Sequence, residues 1–149
     1  MILSNTKAGA DTDTGRQGRL DTSIKIEQTG STDVVIDGMA PKMLGPEAKS
    51  ETATFVRSMM SRQRSTTVTS ALRGMAARPD RTPLLASIKF PTLILTGSAD
   101  VVIPPGESEA MHKAIAHSTL VNIPNAGHLA NLDKTEPYNE AVQAFVSQL

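Results

Sequence analysis

The chain has no cysteine, and its only aromatic residues are three phenylalanines and one tyrosine. Without cysteine, disulfide bonds and thiolate metal sites are excluded, and the redox compartment is left open. Because aromatic side chains are so few, the hydrophobic core has to be built from leucine, isoleucine, valine, methionine and alanine. With 149 residues, the chain has the size of one domain with a real core.

The chain also lacks a net charge, because 15 basic residues balance 15 acidic ones. This balance gives no reason to expect nucleic acid or an anionic membrane as a partner. No apolar run approaches the roughly 18–20 residues of a membrane span, and no signal-peptide pattern is visible. Three scattered histidines offer no metal-ligand spacing. The sequence therefore predicts a soluble cytoplasmic protein without metal or cofactor.

The first half of the chain is dominated by helical patterns. A short strand-like segment, Ile2–Ser4, is followed by a polar loop. Four short amphipathic helices are then predicted with no strand between them: 15–28 with Leu20, Ile24 and Ile26, 33–39, 50–63 with Phe55 and Val56, and 66–77 with Leu72 and Met75. Four helices in succession predict a separate helical layer. Its methionines, including Met43 and Met60, are predicted to form its core.

The stretch from Pro91 to His128 is the most informative part of the sequence. Thr92–Thr96 and Leu120–Ile123 have the composition of strands buried on both faces. A helical pattern lies between them, after the proline pair that ends at Pro105. Such a strand–helix–strand unit has parallel strands and a right-handed crossover, so its loops open at the same end of the sheet. Asp100 follows the first of these strands, and His128 follows the second.

After His128, Thr135-Glu136-Pro137 starts a last helix with a predicted core stripe of Val142, Phe145, Val146 and Leu149. The predicted order is therefore strand, helical layer, strand, helix, strand, helix. Asp100 and His128 are expected to be neighbours in space. Each of the two residues also has a purely structural alternative. In that alternative His128 only caps its turn, and Asp100 only caps the turn after Gly97.

Three motifs carry a resemblance to a known family: ILSNT at 2–6, LRGMAARPDRTPLLASIKFPTLILTGSAD at 72–100 and NAGHLANLDKTEPYNEAVQAF at 125–145. The chain resembles the C-terminal part of an α/β-hydrolase close to the 3-oxoadipate enol-lactonases and esterases. The resemblance implies a truncated α/β-hydrolase-like parallel sheet of about three strands with a four-helix cap layer. It implies a first strand and loop at 1–12, a helical cap at 13–79 and a C-terminal segment at 80–149.

The same resemblance implies roles for the two loop residues. Asp100 resembles the acid of a Ser-Asp-His triad, and His128 resembles its general base. In such enzymes the base takes the proton of a serine, while the acid orients the imidazole. The implied substrates are small carboxylic esters or enol-lactones. The implied activity is hydrolysis without a cofactor.

The chain departs from the family pattern at the nucleophile. In the family a G-x-S-x-G motif precedes the triad aspartate, and the 149 residues of this sequence contain no such motif. Ser98 and Ser4 are the candidate substitute serines, and another chain is a further source. The alternative function is a catalytically inactive remnant that serves as a binding or assembly module. Because the first strand would have an open edge, a homodimer through that edge is predicted.

Overall fold

Three parallel strands form one sheet in the computed structural model, which describes residues 1–149. The strands are β1 (Ile2–Ser4), β2 (Thr92–Gly97) and β3 (Ser118–Ile123), and β2 lies in the centre. Ile2 pairs with Leu93, and Thr92 pairs with Ser118. All six residues of β2 are buried, as expected for a β-branched and leucine run with elements on both faces.

Seven α-helices accompany the sheet. Four of them follow β1: α1 (Asp13–Thr29), α2 (Asp33–Met39), α3 (Ser50–Ser61) and α4 (Ser65–Ala76). The other three are α5 (Pro105–Ala114), α6 (Ala130–Asp133) and α7 (Thr135–Val146), and short 3-10 turns occupy Ala40–Lys42 and Thr82–Ser87. The predicted three-stranded parallel sheet with a cap of four helices is thus confirmed.

Local chemistry explains where the longest cap helix begins and ends. Thr12 has extended backbone angles, and its side chain accepts a hydrogen bond from the Gly15 amide, which satisfies a free donor of the first turn of α1. Gly30 ends α1 with a left-handed φ of 69°, where its amide bonds to Ile26 O. Ile26 is fully buried. One face of α1 therefore packs inside the cap.

The core around the sheet consists of one apolar cluster on each of its faces. Leu93 and Leu95 point to one face with Ile123 and pack against α7. Ile94 points to the other face and packs against Met111 and Ile115 around α5. Burying each such side chain contributes about 1.5–3 kcal/mol. The alternation along β2 therefore fixes its register, because a shift by one residue would exchange the two clusters.

Several predicted core positions are wrong. Ile24 is 46% exposed, because residues two apart on a helix lie on nearly opposite faces and Ile26 takes the buried one. Phe55 is 50% exposed, because the buried face of α3 contains its neighbour Val56 instead. Met75 is 37% exposed, because the buried face of α4 contains Leu72 instead. In α7, Val146 and Leu149 are also exposed, and the packed stripe is Tyr138, Ala141, Val142 and Phe145.

Candidate active site

The loops that follow β2 and β3 bring Asp100 and His128 together. His128 Nδ1 lies 3.0 Å from Asp100 Oδ2, although the two residues are 28 positions apart. A carboxylate only accepts, so Nδ1 carries the proton of this hydrogen bond and Nε2 holds the basic lone pair. Nε2 makes no hydrogen bond within the chain, and the His128 side chain is 23% exposed. The arrangement can therefore accept a proton at Nε2 and stabilise the resulting imidazolium.

The Asp100 carboxylate is buried and saturated with donors. Oδ1 accepts hydrogen bonds from the amides of Val102 and Ile103 at 2.8 and 2.9 Å. Oδ2 accepts from Asn5 Nδ2 at 2.9 Å as well as from His128. Burial by itself raises the pKa of Asp100, but these donors, led by the Ile103 amide, outweigh it and hold the pKa below its usual range. Asp100 is therefore ionised at neutral pH.

A pH dependence of stability follows from this lowered pKa. The folded chain binds the Asp100 proton less tightly than the unfolded chain does, so the carboxylate stabilises the fold fully above its unfolded pKa of about 3.9. This contribution is lost as the pH falls through the lower folded pKa. Urea unfolding at several pH values is expected to show an advantage of wild type over Asp100→Asn that is constant near pH 7 and shrinks below about pH 4. An advantage that grows on acidification would contradict it.

Asn5 is a site residue that the sequence reasoning missed. It follows β1 with a left-handed φ of 46°, a conformation that asparagine tolerates better than most residues. Its buried Nδ2 donates to Asp100 Oδ2 and also to Gly127 O at 3.3 Å. It thus connects all three strand ends of the sheet. An asparagine directly after a predicted strand was the available signal.

The histidine loop is held against the end of β2 by close backbone contacts. A Cβ on Gly97 would lie 2.2 Å from Ala126 O, a distance that only glycine permits. The Ala99 amide donates to Ala126 O at 2.9 Å. Ser98 Oγ accepts a hydrogen bond from the Asn125 amide at 2.8 Å. These contacts fix the turn that carries His128.

The cap is joined to the same loop through Asp133, a second residue missed from the sequence. Asp133 Oδ2 accepts hydrogen bonds from the amides of Gly45 and Gly127, both at 2.7 Å. The Leu129 amide donates to Met43 O at 2.8 Å. One carboxylate and one carbonyl thus connect the residues on both sides of His128 to the cap. The position of His128 depends on the cap as well as on the sheet.

The two candidate serines form their hydrogen bonds with residues other than His128. Ser4 Oγ donates to Asn5 Oδ1 at 3.2 Å, and Ser98 Oγ is engaged with the Asn125 amide. Neither hydroxyl is hydrogen-bonded to His128. The structure therefore brings Asp100 and His128 together and leaves Ser4 and Ser98 outside the pair.

A cavity of about 650 Å³ extends from His128 into the cap. Asn5, Val102 and Ile103 form its wall on the sheet side. Its apolar residues from the cap are Val34, Val35, Met39, Met43, Met60, Leu72 and Met75. Four methionines thus line the cavity, of which Met43 is also buried in the cap core. Flexible thioethers suit a pocket that adapts to an apolar ligand.

No group of three or more histidine, aspartate or glutamate side chains is placed to hold a metal ion. His112 and His117 are exposed, and His112 Nδ1 lies 2.8 Å from Ser118 Oγ. No helix of the chain combines the length and the apolar character that crossing a membrane requires.

Known proteins resemble this chain in sequence and in fold. The sequence model of the family described as alpha/beta hydrolase fold matches residues 26–135. A thermophilic esterase from Thermogutta terrifontis, solved with malate bound, superposes with a TM-score of 0.93 and 31% identity over 99% of this chain and 55% of the esterase. An enol-lactonase from Burkholderia xenovorans LB400 superposes with a TM-score of 0.85 at 20% identity, which shows the fold alone.

Curated relatives match over shorter stretches. The 3-oxoadipate enol-lactonase 1 of Acinetobacter baylyi is 36% identical over 73 residues, which cover 49% of this chain and 27% of the lactonase. The chain spans about half the length of the solved structures that it matches, 55% in the case of the esterase. The family match covers most of the chain and both loops of the Asp100–His128 pair. The chain therefore belongs to the α/β-hydrolase fold family.

Proposed function

We propose that this chain supplies two residues of an ester-hydrolysing site, with His128 as the general base and Asp100 as the carboxylate that orients it. The observation that carries the proposal is the hydrogen bond from His128 Nδ1 to the buried, ionised Asp100, which leaves Nε2 free beside the cavity. A general base has to present a lone pair to the substrate side and be oriented on its other side. The pair meets both requirements.

The proposed reaction uses a serine hydroxyl as the nucleophile. As the serine oxygen attacks the ester carbonyl, His128 Nε2 accepts the hydroxyl proton, and Asp100 stabilises the imidazolium. The proton then passes from Nε2 to the leaving alcohol or enolate oxygen, and the acyl group stays on the serine. A water molecule, deprotonated by His128, releases the acid and restores the hydroxyl. No oxidant, reductant or cofactor is consumed.

The proposed substrates are small carboxylic esters and enol-lactones. The esterase and enol-lactonase names of the relatives support this class. The cavity supports it too, because its methionine and valine walls suit the short apolar part of an acyl group.

For the nucleophile, a serine from outside these 149 residues is favoured over Ser4 and Ser98. Ser98 Oγ already holds the Asn125 amide, and Ser4 Oγ bonds to Asn5. A serine that attacks a carbonyl has to be hydrogen-bonded to its base. Using Ser98 would require the histidine loop to give up one of its supports.

A fusion protein tests the proposal. The part of the Thermogutta terrifontis esterase that lies outside the match is joined in front of Met1, where the family pattern places the serine of the G-x-S-x-G motif. The fusion is expected to hydrolyse p-nitrophenyl acetate, and His128→Ala is expected to lower kcat/KM by about 10²- to 10⁴-fold. His112→Ala, an exposed histidine on α5, is the matched control and should leave the rate unchanged.

Two results would contradict the proposal. The first is a folded fusion, judged by circular dichroism, that stays at the buffer rate. The second is equal activity of the fusion and its His128→Ala variant. If a fluorophosphonate labels Ser98 or Ser4 in the 149-residue chain without the fused part, the labelled serine is the nucleophile.

The second candidate function is an assembly module, and the open edge of β1 favours it. β1 pairs with β2 alone, and Met1 and Ile2 are 40% and 41% exposed. The Leu93 amide donates to Met1 O, and the Asn5 amide donates to Leu95 O, so the odd-numbered residues of this segment bond to β2. Alternate residues of a strand direct their backbone groups to opposite edges, so the amide of Ile2 faces the open edge. A second copy could pair there and form a homodimer.

Light scattering across a wide concentration range tests this dimer. Ile2→Pro removes an amide from the open edge only, so it is expected to convert the dimer to a monomer without unfolding it. Ile2→Val is the control and should remain a dimer. A wild-type chain that is monomeric at every concentration would refute the module.

A further inference from the structure

One carboxylate oxygen holds the backbone beside His128 against the cap. Asp133, the last residue of α6, accepts hydrogen bonds at Oδ2 from the amides of Gly127 and Gly45, both at 2.7 Å. Gly127 directly precedes His128, whereas Gly45 belongs to the cap and is 88 positions from Asp133 in the sequence. This oxygen therefore fixes the distance between the cap and the backbone that carries the imidazole.

The cap segment 43–47 packs closely on the histidine loop. A Cβ on Gly127 would overlap the backbone of Leu44, so the two backbones lie in direct contact. The Leu129 amide donates to Met43 O at 2.8 Å. Met43 also lines the cavity. The segment thus joins the wall of the cavity to the residues on both sides of the base.

A second carboxylate connects the same two segments at the surface. Glu47 accepts hydrogen bonds from Asn125 Nδ2 and Lys134 Nζ, both at 3.1 Å, and its side chain is 60% exposed. Water competes for such exposed bonds, so they do little to fix a position. The amides held by Asp133, in contrast, have no other acceptor in the chain. The inner connection is therefore the one that restrains the loop.

We propose that Asp133 is a positioning residue for the base: by holding the Gly127 amide, it keeps His128 in line with Asp100 and keeps Nε2 turned towards the cavity. This inference rests on the proposed function, because alignment of a base matters only if the base acts. Asp133 does not line the cavity, so it acts through the backbone. A misplacement of about 1 Å in a reacting group can cost about a hundredfold in rate.

The His128 ring in the 149-residue chain tests the positioning without any catalysis. The ¹⁵N NMR signals of a neutral imidazole show which nitrogen carries the proton, and the hydrogen bond to Asp100 selects the Nδ1–H form. This form is expected to exceed about 90% in wild type, whereas Asp133→Ala is expected to contain at least about 30% of the Nε2–H form. Glu47→Ala is the matched control and should keep the wild-type ratio. The wild-type ratio in Asp133→Ala would overturn the inference.

Kinetics of the fusion protein separate positioning from a structural role. Asp133→Ala is expected to lower kcat for p-nitrophenyl acetate by about tenfold or more and to change KM by less than about threefold. Asp133→Asn keeps an oxygen that can accept from both amides, so it should retain kcat within about threefold of wild type. A loss of stability alone, or a higher KM at unchanged kcat, would assign Asp133 to the fold or to the cavity wall and overturn the inference.

The comparison requires folded variants. If Asp133→Ala does not fold, Asp133→Ser takes its place in both measurements, because its short side chain leaves room for a water molecule that pairs the two amides loosely. The same change of the ring ratio and the same loss of kcat are expected for it. A folded Asp133→Ser variant with the wild-type ratio and the wild-type kcat would overturn the inference.

The inference and the proposed function can fail separately. An inactive fusion, together with the changed ring ratio in Asp133→Ala, would refute the hydrolase and leave the support of His128 by Asp133 standing. An active fusion whose Asp133→Ala variant keeps the wild-type kcat and ring ratio would leave the hydrolase standing and overturn the inference.

Discussion

Replacing Asp100 with alanine is expected to lower the free energy of unfolding by about 3–5 kcal/mol. The substitution removes the acceptor of two backbone amides, at Val102 and Ile103, and of the Asn5 amide group. Each buried donor left without a partner costs about 1–3 kcal/mol, and water that enters the space recovers part of this. The loss is a large fraction of the roughly 5–15 kcal/mol that stabilises an ordinary domain.

Urea unfolding followed by circular dichroism measures this loss. Glu109→Ala is the matched control, because Glu109 is exposed on α5 and has no side-chain partner; it should change stability by less than about 0.5 kcal/mol. A loss for Asp100→Ala as small as that of the control would mean that the hydrogen bonds around the carboxylate do not form. The Asp100–His128 pair would then have no rigid support.

Replacing Gly97 with alanine is expected to cost about 3 kcal/mol or more, or to prevent folding. The new Cβ would lie 2.2 Å from Ala126 O and 2.6 Å from Gly127 O, and both are backbone atoms that cannot rotate away. The histidine loop would have to move off the end of β2. The substitution should therefore also separate His128 from Asp100.

Thermal unfolding and the NMR signals of the His128 ring measure the two effects. Gly74→Ala is the control, because a Cβ at this position in α4 would meet no atom within 4 Å. There the substitution should stabilise the chain by about 0.5–1 kcal/mol, since alanine favours helix. Equal melting temperatures for the two variants would contradict the close packing of the loop against β2.

The sheet could be predicted from sequence because its signals are local. Thr92–Gly97 is a continuous buried run, and the parallel crossover to β3 places both following loops at one edge. That rule alone predicts that Asp100 and His128 are neighbours in space. The short helix α6 (Ala130–Asp133) was not anticipated, because four residues are too few for a helical pattern to show.

The supports of the site could not be predicted, because their partners are distant in sequence. Asn5 bonds to Asp100 across 95 positions and to Gly127 across 122. Asp133 bonds to the Gly45 amide across 88 positions. A single asparagine or aspartate in a polar loop gives no sign of which amide it will meet. These contacts depend on how the cap packs on the sheet.

We propose that Asp100 and His128 act as one catalytic unit. The most direct test is the additivity of Asp100→Asn and His128→Ala in the fusion protein, measured as kcat/KM for p-nitrophenyl acetate. If the catalytic contribution of Asp100 is to orient His128, the double variant is expected to lose no more activity than His128→Ala alone, with all variants compared under conditions in which they are folded. If the double variant instead falls below His128→Ala by the full effect of Asp100→Asn, the two residues act independently and do not form one catalytic unit.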